Sequence, residues 1–179
     1  MSPRRLPVAV TVATLTCITP QTALSHSIAS SIGKPAGIGL FDSLNARFYL
    51  RETQTPGTAD HRIAFGTANT GLIGLVGDWN GDGRLTPGIY DPATGRWQLR
   101  NSQAEGTPSY DFHYGPAGSG WQPIIGDWNG NGRDSVGLYD PQMSRFYLKD
   151  TLDGSTEQTL RFGSSNALAD ERTAGAGDW

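Results

Sequence analysis

Two short loops carry the residues with the clearest chemical potential. Residues 77–83 read Gly-Asp-Trp-Asn-Gly-Asp-Gly and residues 126–132 read Gly-Asp-Trp-Asn-Gly-Asn-Gly, so oxygen-bearing side chains occupy alternate positions between glycines. Calcium takes about six to eight oxygen ligands, and a tight Gly-rich loop turns alternate residues toward one point. The two loops are therefore predicted to be calcium sites, built from side-chain and main-chain oxygens.

Each loop offers side-chain oxygens, one main-chain carbonyl and a hydroxyl or carboxyl group at its end. The candidates in the first loop are Asp78, Asn80, Asp82, the carbonyl of Arg84, and Thr86. The candidates in the second loop are Asp127, Asn129, Asn131, the carbonyl of Arg133, and either Asp134 or Ser135. Each loop has only two carboxylates, counting Asp134 in the second, which indicates weak binding because affinity depends on ligand charge. The alternative is a metal-free turn in which Asp and Asn accept hydrogen bonds from their own backbone.

The spacing excludes two better-known kinds of site. In an EF-hand a bidentate glutamate stands at the twelfth position of the loop, which here is Ile89, and helices flank it. The chain also contains no Gly-x-Ser-x-Gly elbow and no His-Glu-x-x-His motif. A tandem repeat disfavours the single asymmetric site that catalysis needs, so we predict that this chain is not an enzyme.

The loops belong to a longer repeating unit. Gly39, Gly88 and Gly137 each open a Gly-aliphatic-aromatic-Asp segment, and successive members are 49 residues apart. Strands are predicted in the first unit at 38–42, 47–52, 61–66 and 71–78, separated by turns rich in Asp, Pro and Gly. A period near 50 with four short strands is typical of a propeller blade. The predicted fold is all-β: tandem four-stranded antiparallel blades forming a partial β-propeller of about three repeats, the last incomplete.

The aromatic residues follow the same period. Those predicted to pack between neighbouring units are Phe48, Trp97, Phe146, Trp79 and Trp128. Trp121 lies outside the repeated template and is expected to be exposed.

These motifs resemble FG-GAP/VCBS repeats. The resemblance rests on Phe65-Gly66 followed by the 77–83 loop and by Gly-Ile-Tyr-Asp-Pro at 88–92, and it covers about residues 38–179. It implies a β-propeller fold with calcium held between the strands of each blade. The sequence departs from that pattern where Thr86 and Ser135 replace the last acidic ligand and where Asn131 replaces an acid.

The N-terminal segment has the order of a signal peptide. Arg4 and Arg5 precede an uncharged apolar stretch at 6–18, and small residues lead to a predicted cleavage after Ser25. The stretch is too short for a membrane span, which needs roughly 20 residues. We therefore expect a secreted or cell-surface protein; a lipid anchor on Cys17, the sole cysteine, is a weaker alternative. Predicted segments are a signal peptide at 1–25, a linker at 26–37 and repeats at 38–86, 87–135 and 136–179.

Charge and composition narrow the range of partners. The net charge of −3 and the lack of a basic cluster after residue 5 argue against nucleic acid. The expected function is a secreted calcium-binding β-repeat module acting as a binding or scaffold domain for glycan or protein ligands. The alternative is the accessory region of a secreted hydrolase whose catalytic domain lies outside this chain. A third copy of the loop begins at 177–179 and is cut short, so we expect a fragment of a longer protein, with self-association through exposed blade edges.

Overall fold

The computed structural model describes residues 12–14, 37–152, 157–163 and 174–176. Most of the predicted signal peptide and linker lies outside these residues, as does the third loop motif. The described residues are all-β and contain no helix, which confirms the predicted fold class. Their strands are β1 (Val12–Thr14), β2 (Ile38–Asp42), β3 (Arg47–Arg51), β4 (His61–Ala64), β5 (Ile73–Gly77), β6 (Thr86–Asp91), β7 (Arg96–Leu99), β8 (Tyr110–His113), β9 (Gln122–Gly126), β10 (Ser135–Asp140), β11 (Arg145–Lys149) and β12 (Glu157–Arg161).

The strands form three separate four-stranded sheets. The first sheet has the order β1-β2-β3-β4, the second β5-β6-β7-β8 and the third β9-β10-β11-β12. All neighbours are antiparallel except β1 and β2, which run parallel with Val12 opposite Gly39. None of the three sheets closes into a barrel. The second and third sheets have the predicted four antiparallel strands, whereas the first has three, and its fourth strand is the parallel β1, which lies within the segment predicted as a signal peptide.

The sheets are out of phase with the sequence units. Residues 71–78 were expected to supply the fourth strand of the first unit, yet β5 pairs with β6 in the second sheet. Ile73 lies opposite Tyr90 and Gly77 opposite Thr86, so the Gly-rich loop at 78–85 closes a β5–β6 hairpin. Each of the later sheets therefore takes its first strand from the preceding sequence unit, which links neighbouring blades through the chain itself.

Aspartates at corresponding positions cap the turn between the second and third strands of each sheet. The Asp42 carboxylate accepts the N–H of Leu44 at 3.0 Å, and the Asp91 carboxylate accepts the N–H of Ala93 at 2.9 Å. Asp140 accepts the N–H of Gln142 at 2.9 Å in the same way. Such side-chain acceptors favour the turn over continued strand. The turns predicted at 43–46, 91–95 and 140–141 are therefore confirmed, while the one predicted at 153–154 lies outside the described residues.

The core consists of two apolar layers, each between neighbouring sheets. The first layer contains Phe41, Phe48, Ile63, Phe65, Val76 and Ile89. The second contains Leu75, Trp79, Tyr90, Trp97, Leu99, Ile125, Val136 and Leu138. An aromatic pair recurs in each sheet, with ring centroids 4.6 Å apart in Phe41–Phe48, 4.5 Å in Tyr90–Trp97 and 4.6 Å in Tyr139–Phe146.

The predicted packing of the aromatic residues is confirmed in part. Phe48, Trp97 and Trp79 are buried between sheets, whereas Phe146 and Trp128 are half-buried. Trp121 differs from expectation, because it is half-buried and stacks on Tyr147 with ring centroids 4.5 Å apart.

Candidate metal loops between the sheets

The first loop is organised around the carboxylate of Asp78. Oδ1 accepts the backbone N–H groups of Gly81 at 2.8 Å and Asp82 at 3.1 Å, and Oδ2 accepts that of Gly83 at 2.7 Å. Gly81 has a φ of 76°, a left-handed conformation that favours glycine. The Asp-Gly spacing therefore dictates a tight loop with one buried carboxylate at its centre.

Two further side chains of the loop also turn toward its backbone. Asn80 Oδ1 accepts the N–H of Asp82 at 3.3 Å, and Asp82 Oδ1 accepts the N–H of Arg84 at 2.8 Å. The Asn80 amide donates to Asp82 Oδ2 at 3.0 Å. These are the bonds expected of an Asx turn, and they leave lone pairs on the oxygens because a carboxylate has about four acceptor sites.

The second loop repeats the pattern with small changes. Asp127 accepts the N–H of Asn131 at 3.0 Å and that of Gly132 at 2.7 Å. Asn129 Oδ1 accepts the same Asn131 N–H at 3.1 Å, and Asn131 Oδ1 accepts the N–H of Arg133 at 2.8 Å. Asp127 is half-buried whereas Asp78 is buried, so the second loop is more open to water.

Thr86 and Ser135 stand at the end of each loop but belong to the strands. They are the first residues of β6 and β10, and both are buried. The Thr86 hydroxyl donates to the Gly77 carbonyl at 3.2 Å, and the Ser135 hydroxyl donates to the Lys149 carbonyl. Each hydroxyl therefore stabilises its sheet, and only its oxygen lone pairs remain available to a cation.

Asp134 joins the two loops across the boundary between sheets. The Asp78 N–H donates to Asp134 Oδ2 at 2.8 Å, and the Asp134 N–H donates to the Asp78 carbonyl at 2.8 Å. A Cβ added to Gly81 would lie 2.9 Å from Arg133 Cγ, so the loops also touch. Sequence reasoning placed Asp134 in its own loop and missed this bridge. The sequence contains one indication of this bridge: the position that corresponds to Asp134 in the preceding repeat is Leu85, so the acid at 134 is not part of the repeated loop pattern.

The environment of Asp134 disfavours its charge. Burial raises the pKa of Asp134 to about 7, and the nearby carboxylates of Asp78 and Asp127 add to this rise. The hydrogen bond from the Asp78 N–H acts in the opposite direction but is the smaller effect. Three acidic groups from two loops thus influence one another at the sheet boundary, which is an electrostatic setting that a bound cation would relieve.

We expect Asp134→Asn to stabilise the metal-free protein at neutral pH. The folded pKa lies above the ordinary value of about 3.9, so between pH 4 and 7 the folded state binds more protons and stability falls as pH rises. Asparagine keeps an acceptor for the Asp78 N–H without the charge. Urea unfolding in EDTA should show a gain on the order of 4 kcal/mol at most at pH 8, vanishing near pH 4.

Asp111→Asn provides a control of opposite sign for that experiment. The side-chain bond from Arg96, 2.6 Å long, lowers the pKa of Asp111, so its contribution is present above pH 4 and lost as pH falls. This variant should be less stable than the parent at pH 8. A stability of Asp134→Asn that follows the parent at every pH would contradict the assignment of a raised pKa.

The donor set of both loops suits a hard cation. Side-chain and carbonyl oxygens make up the whole set, which is the chemistry that calcium prefers over nitrogen or sulfur ligands. In the part of the chain that the structure describes, no three His, Cys, Asp or Glu side chains form a cluster able to hold a metal by themselves. Amide and main-chain oxygens would therefore complete the coordination.

An open groove of about 640 Å³ lies beside the second loop, between the second and third sheets. One wall is the outer strand of the second sheet, with Tyr110, Asp111 and Phe112, and Arg133 and Asp134 line it from the loop. It therefore combines aromatic and charged side chains, a lining that suits polar ligands with some apolar surface.

Comparisons with known proteins give no further identification. No protein-family model, curated protein or solved structure matches this chain. No helix among the described residues is long and apolar enough to cross a membrane.

Proposed function

We propose that this chain is an exported FG-GAP/VCBS-type repeat module whose hairpin loops bind calcium and whose sheets form a scaffold for ligand binding. One observation carries the proposal: an Asp-centred hairpin loop, with two of its backbone bonds in common, recurs in two consecutive sheets and meets its copy at the boundary. Asp78 accepts the N–H of Gly83, and Asp127 that of Gly132, both at 2.7 Å.

Calcium would supply positive charge where the chain concentrates negative charge. Asp78, Asn80 and Asp82 with the Arg84 carbonyl would hold it in the first loop, and Asp127, Asn129 and Asn131 with the Arg133 carbonyl in the second. Asp134 bridges the loops through the Asp78 backbone. Binding to either loop would favour the charged form of Asp134 and tighten the contact between sheets, so the cation acts as a staple for a chain without structural disulfides.

The groove beside the second loop supports the proposed scaffold role. Arg133 and Asp134 belong both to that loop and to the lining of the groove, so a cation that orders the loop also orders a ligand surface. Tyr110 and Phe112 offer ring surface, and Asp111 offers hydrogen-bond acceptors. Hydroxyl-rich glycans and polar protein segments are the ligand classes that this combination supports.

We expect calcium to raise the melting temperature of the full chain. The test compares calcium, magnesium and EDTA in thermal melting; calcium should stabilise by several degrees, and magnesium less, because it demands a smaller octahedral site. Asp82→Ala should reduce the calcium effect, whereas Glu105→Ala, which removes an exposed carboxylate outside the loops, should leave it unchanged. A melting temperature indifferent to calcium would mean that the loops are plain turns.

A further inference from the structure

The contact between neighbouring sheets contains a cation that lies over an aromatic ring, and it occurs twice. The Arg100 guanidinium carbon lies 4.1 Å from the Phe65 ring centroid, and Lys149 Nζ lies 4.8 Å from that of Tyr114. Arg100 and Lys149 occupy the same position of the repeat, as do Phe65 and Tyr114. The aromatic ring at the end of one sheet thus packs against a cation of the following sheet, an electrostatic attraction between the cation and the face of the ring.

An aliphatic side chain and a glycine form a second recurring contact at the same boundary. A Cβ added to Gly66 would lie 2.9 Å from Ile89 Cδ1, and one added to Gly115 would lie 2.2 Å from Leu138 Cδ1. Both glycines directly follow the aromatic residue of the first contact. The following sheet therefore inserts its aliphatic side chain where the preceding sheet has no side chain.

The third sheet also has the aromatic residue and the glycine of these two contacts, but no cation or aliphatic side chain of a following sheet packs on them among the described residues. Leu160 and Phe162 are 42% and 75% exposed, whereas their counterparts in the first sheet, Ile63 and Phe65, are 2% and 6% exposed beneath the second sheet. Gly163 follows Phe162 as Gly66 follows Phe65. The inner end of the same sheet is covered, since Ala176 is buried and Ala174 donates to the Gln122 side chain at 3.0 Å. The open part is thus the outer half of the face.

The first sheet has the cation and the aliphatic side chain of these contacts on the face that is turned away from the second sheet. Leu40, the counterpart of the buried Ile89 and Leu138, is 40% exposed. Arg51 occupies the repeat position of Arg100 and Lys149.

Arg51 is held by carbonyl groups of its own hairpin, as Arg100 is by those of the corresponding hairpin in the second sheet. Its guanidinium donates to the Thr55 carbonyl at 2.6 Å and to the Thr58 carbonyl within its own hairpin. The Arg100 guanidinium donates to the Ala104 carbonyl at 2.9 Å and to the Gly106 carbonyl, both within its own β7–β8 hairpin. The guanidinium of the first sheet is therefore fixed by its hairpin before any ring packs on it, which lowers the entropic cost of binding.

We propose that two copies of this chain associate head to tail, with the first sheet of one copy packed on the third sheet of the other. Arg51 lies over Phe162 of the second copy, and Leu40 inserts at its Gly163, which continues across two chains the contact made twice within one. The contact uses sheet faces rather than edges, and it rests on the repeat array of the proposed function but not on cation binding. Because the two surfaces differ, the contact is heterologous and can close a ring of copies or extend further.

Light scattering after size-exclusion chromatography tests this with the purified full chain over a range of concentrations. The parent should reach at least twice the mass of one chain as concentration rises. Phe162→Asp and Leu40→Asp each place a charge in the apolar contact, and each should weaken self-association by at least about tenfold. Both positions are exposed in one chain, so the variants should fold as the parent does.

Mixing the two variants is the sharper part of the experiment. Phe162→Asp retains an intact first sheet and Leu40→Asp an intact third sheet, so their equimolar mixture should form a two-chain species that neither forms alone. Met143→Asp is the matched control, because Met143 is exposed in a turn whose counterparts, Asn45 and Thr94, stay exposed within the array. Terbium emission from the loops should be the same in all variants, which separates this result from the fate of cation binding.

Several outcomes would overturn the proposal. A mass of one chain at every concentration would show that the two faces do not meet. Self-association that persists in both variants would place the contact elsewhere. Association lost in Phe162→Asp but unchanged in Leu40→Asp would indicate a symmetric contact between two third sheets.

Discussion

Replacing Trp97 with alanine is expected to destabilise the protein by about 3–5 kcal/mol, the usual cost of truncating a large buried aromatic side chain. Trp97 is fully buried between the second and third sheets, and its ring centroid lies 4.5 Å from that of Tyr90 and 6.5 Å from that of Phe112. Its Nε1–H donates to the Tyr114 carbonyl at 3.1 Å. Chemical denaturation followed by circular dichroism measures the loss.

Two variants calibrate this result. Trp97→Phe should cost less than the alanine change, because Phe48 and Phe146 occupy the same repeat position in the neighbouring sheets. Trp121→Ala should also lower the free energy of unfolding less than Trp97→Ala does, because Trp121 is half-buried and stacks mainly on Tyr147. If truncation of Trp121 cost as much as truncation of Trp97, the second apolar layer would not be the main junction between these sheets.

Asp78→Ala is expected to cost about 2–4 kcal/mol even in EDTA, where no cation contributes. The change removes the acceptor of three backbone N–H groups in the loop, those of Gly81, Asp82 and Gly83, and leaving a partly buried donor unpaired costs about 1–3 kcal/mol. Water can satisfy part of this loss because the loop tip is exposed. Urea unfolding at constant pH in EDTA provides the measurement.

The matched variant for this prediction is Asp127→Ala in the second loop. Asp127 is half-buried and accepts two backbone N–H groups, from Asn131 and Gly132, so its loss should be smaller, about 1–2 kcal/mol. Equal losses for the two variants would argue against a central structural role for the buried Asp78 carboxylate. Since both measurements are made without calcium, they separate the turn-forming role of these residues from any role as ligands.

The periodic features of the fold were predictable from the sequence, because they depend on local patterns repeated at 49 residues. Phe48 and Trp97 lie in the layers between sheets, and Asp42 and Asp91 cap the predicted turns. The assignment of β5 to the second sheet was not predictable from periodicity. A repeat has the same period wherever its boundary is drawn, and only the hydrogen-bonded register of Gly77 with Thr86 fixes the sheet.

The bridge made by Asp134 is the part of the candidate site that local reasoning could not supply. It joins residues 56 positions apart in the chain, and it depends on how two sheets pack rather than on either loop. The same limit applies to the exposed pair Leu160 and Phe162. Their positions in the repeat predict burial. Only the tertiary arrangement shows that the second sheet covers the corresponding residues of the first sheet, whereas no sheet of the described residues covers Leu160 and Phe162.

The most direct test of cation binding by the loops is a terbium titration of the full chain, with emission excited through tryptophan. Trp79 and Trp128 each follow the first aspartate of a loop, so energy transfer reports on an ion held there. We predict saturable emission that calcium displaces, reduced in Asp82→Ala and abolished when Asn131→Ala is added. Absence of saturable emission, or emission unchanged in the double variant, would contradict the proposal that these loops bind a cation.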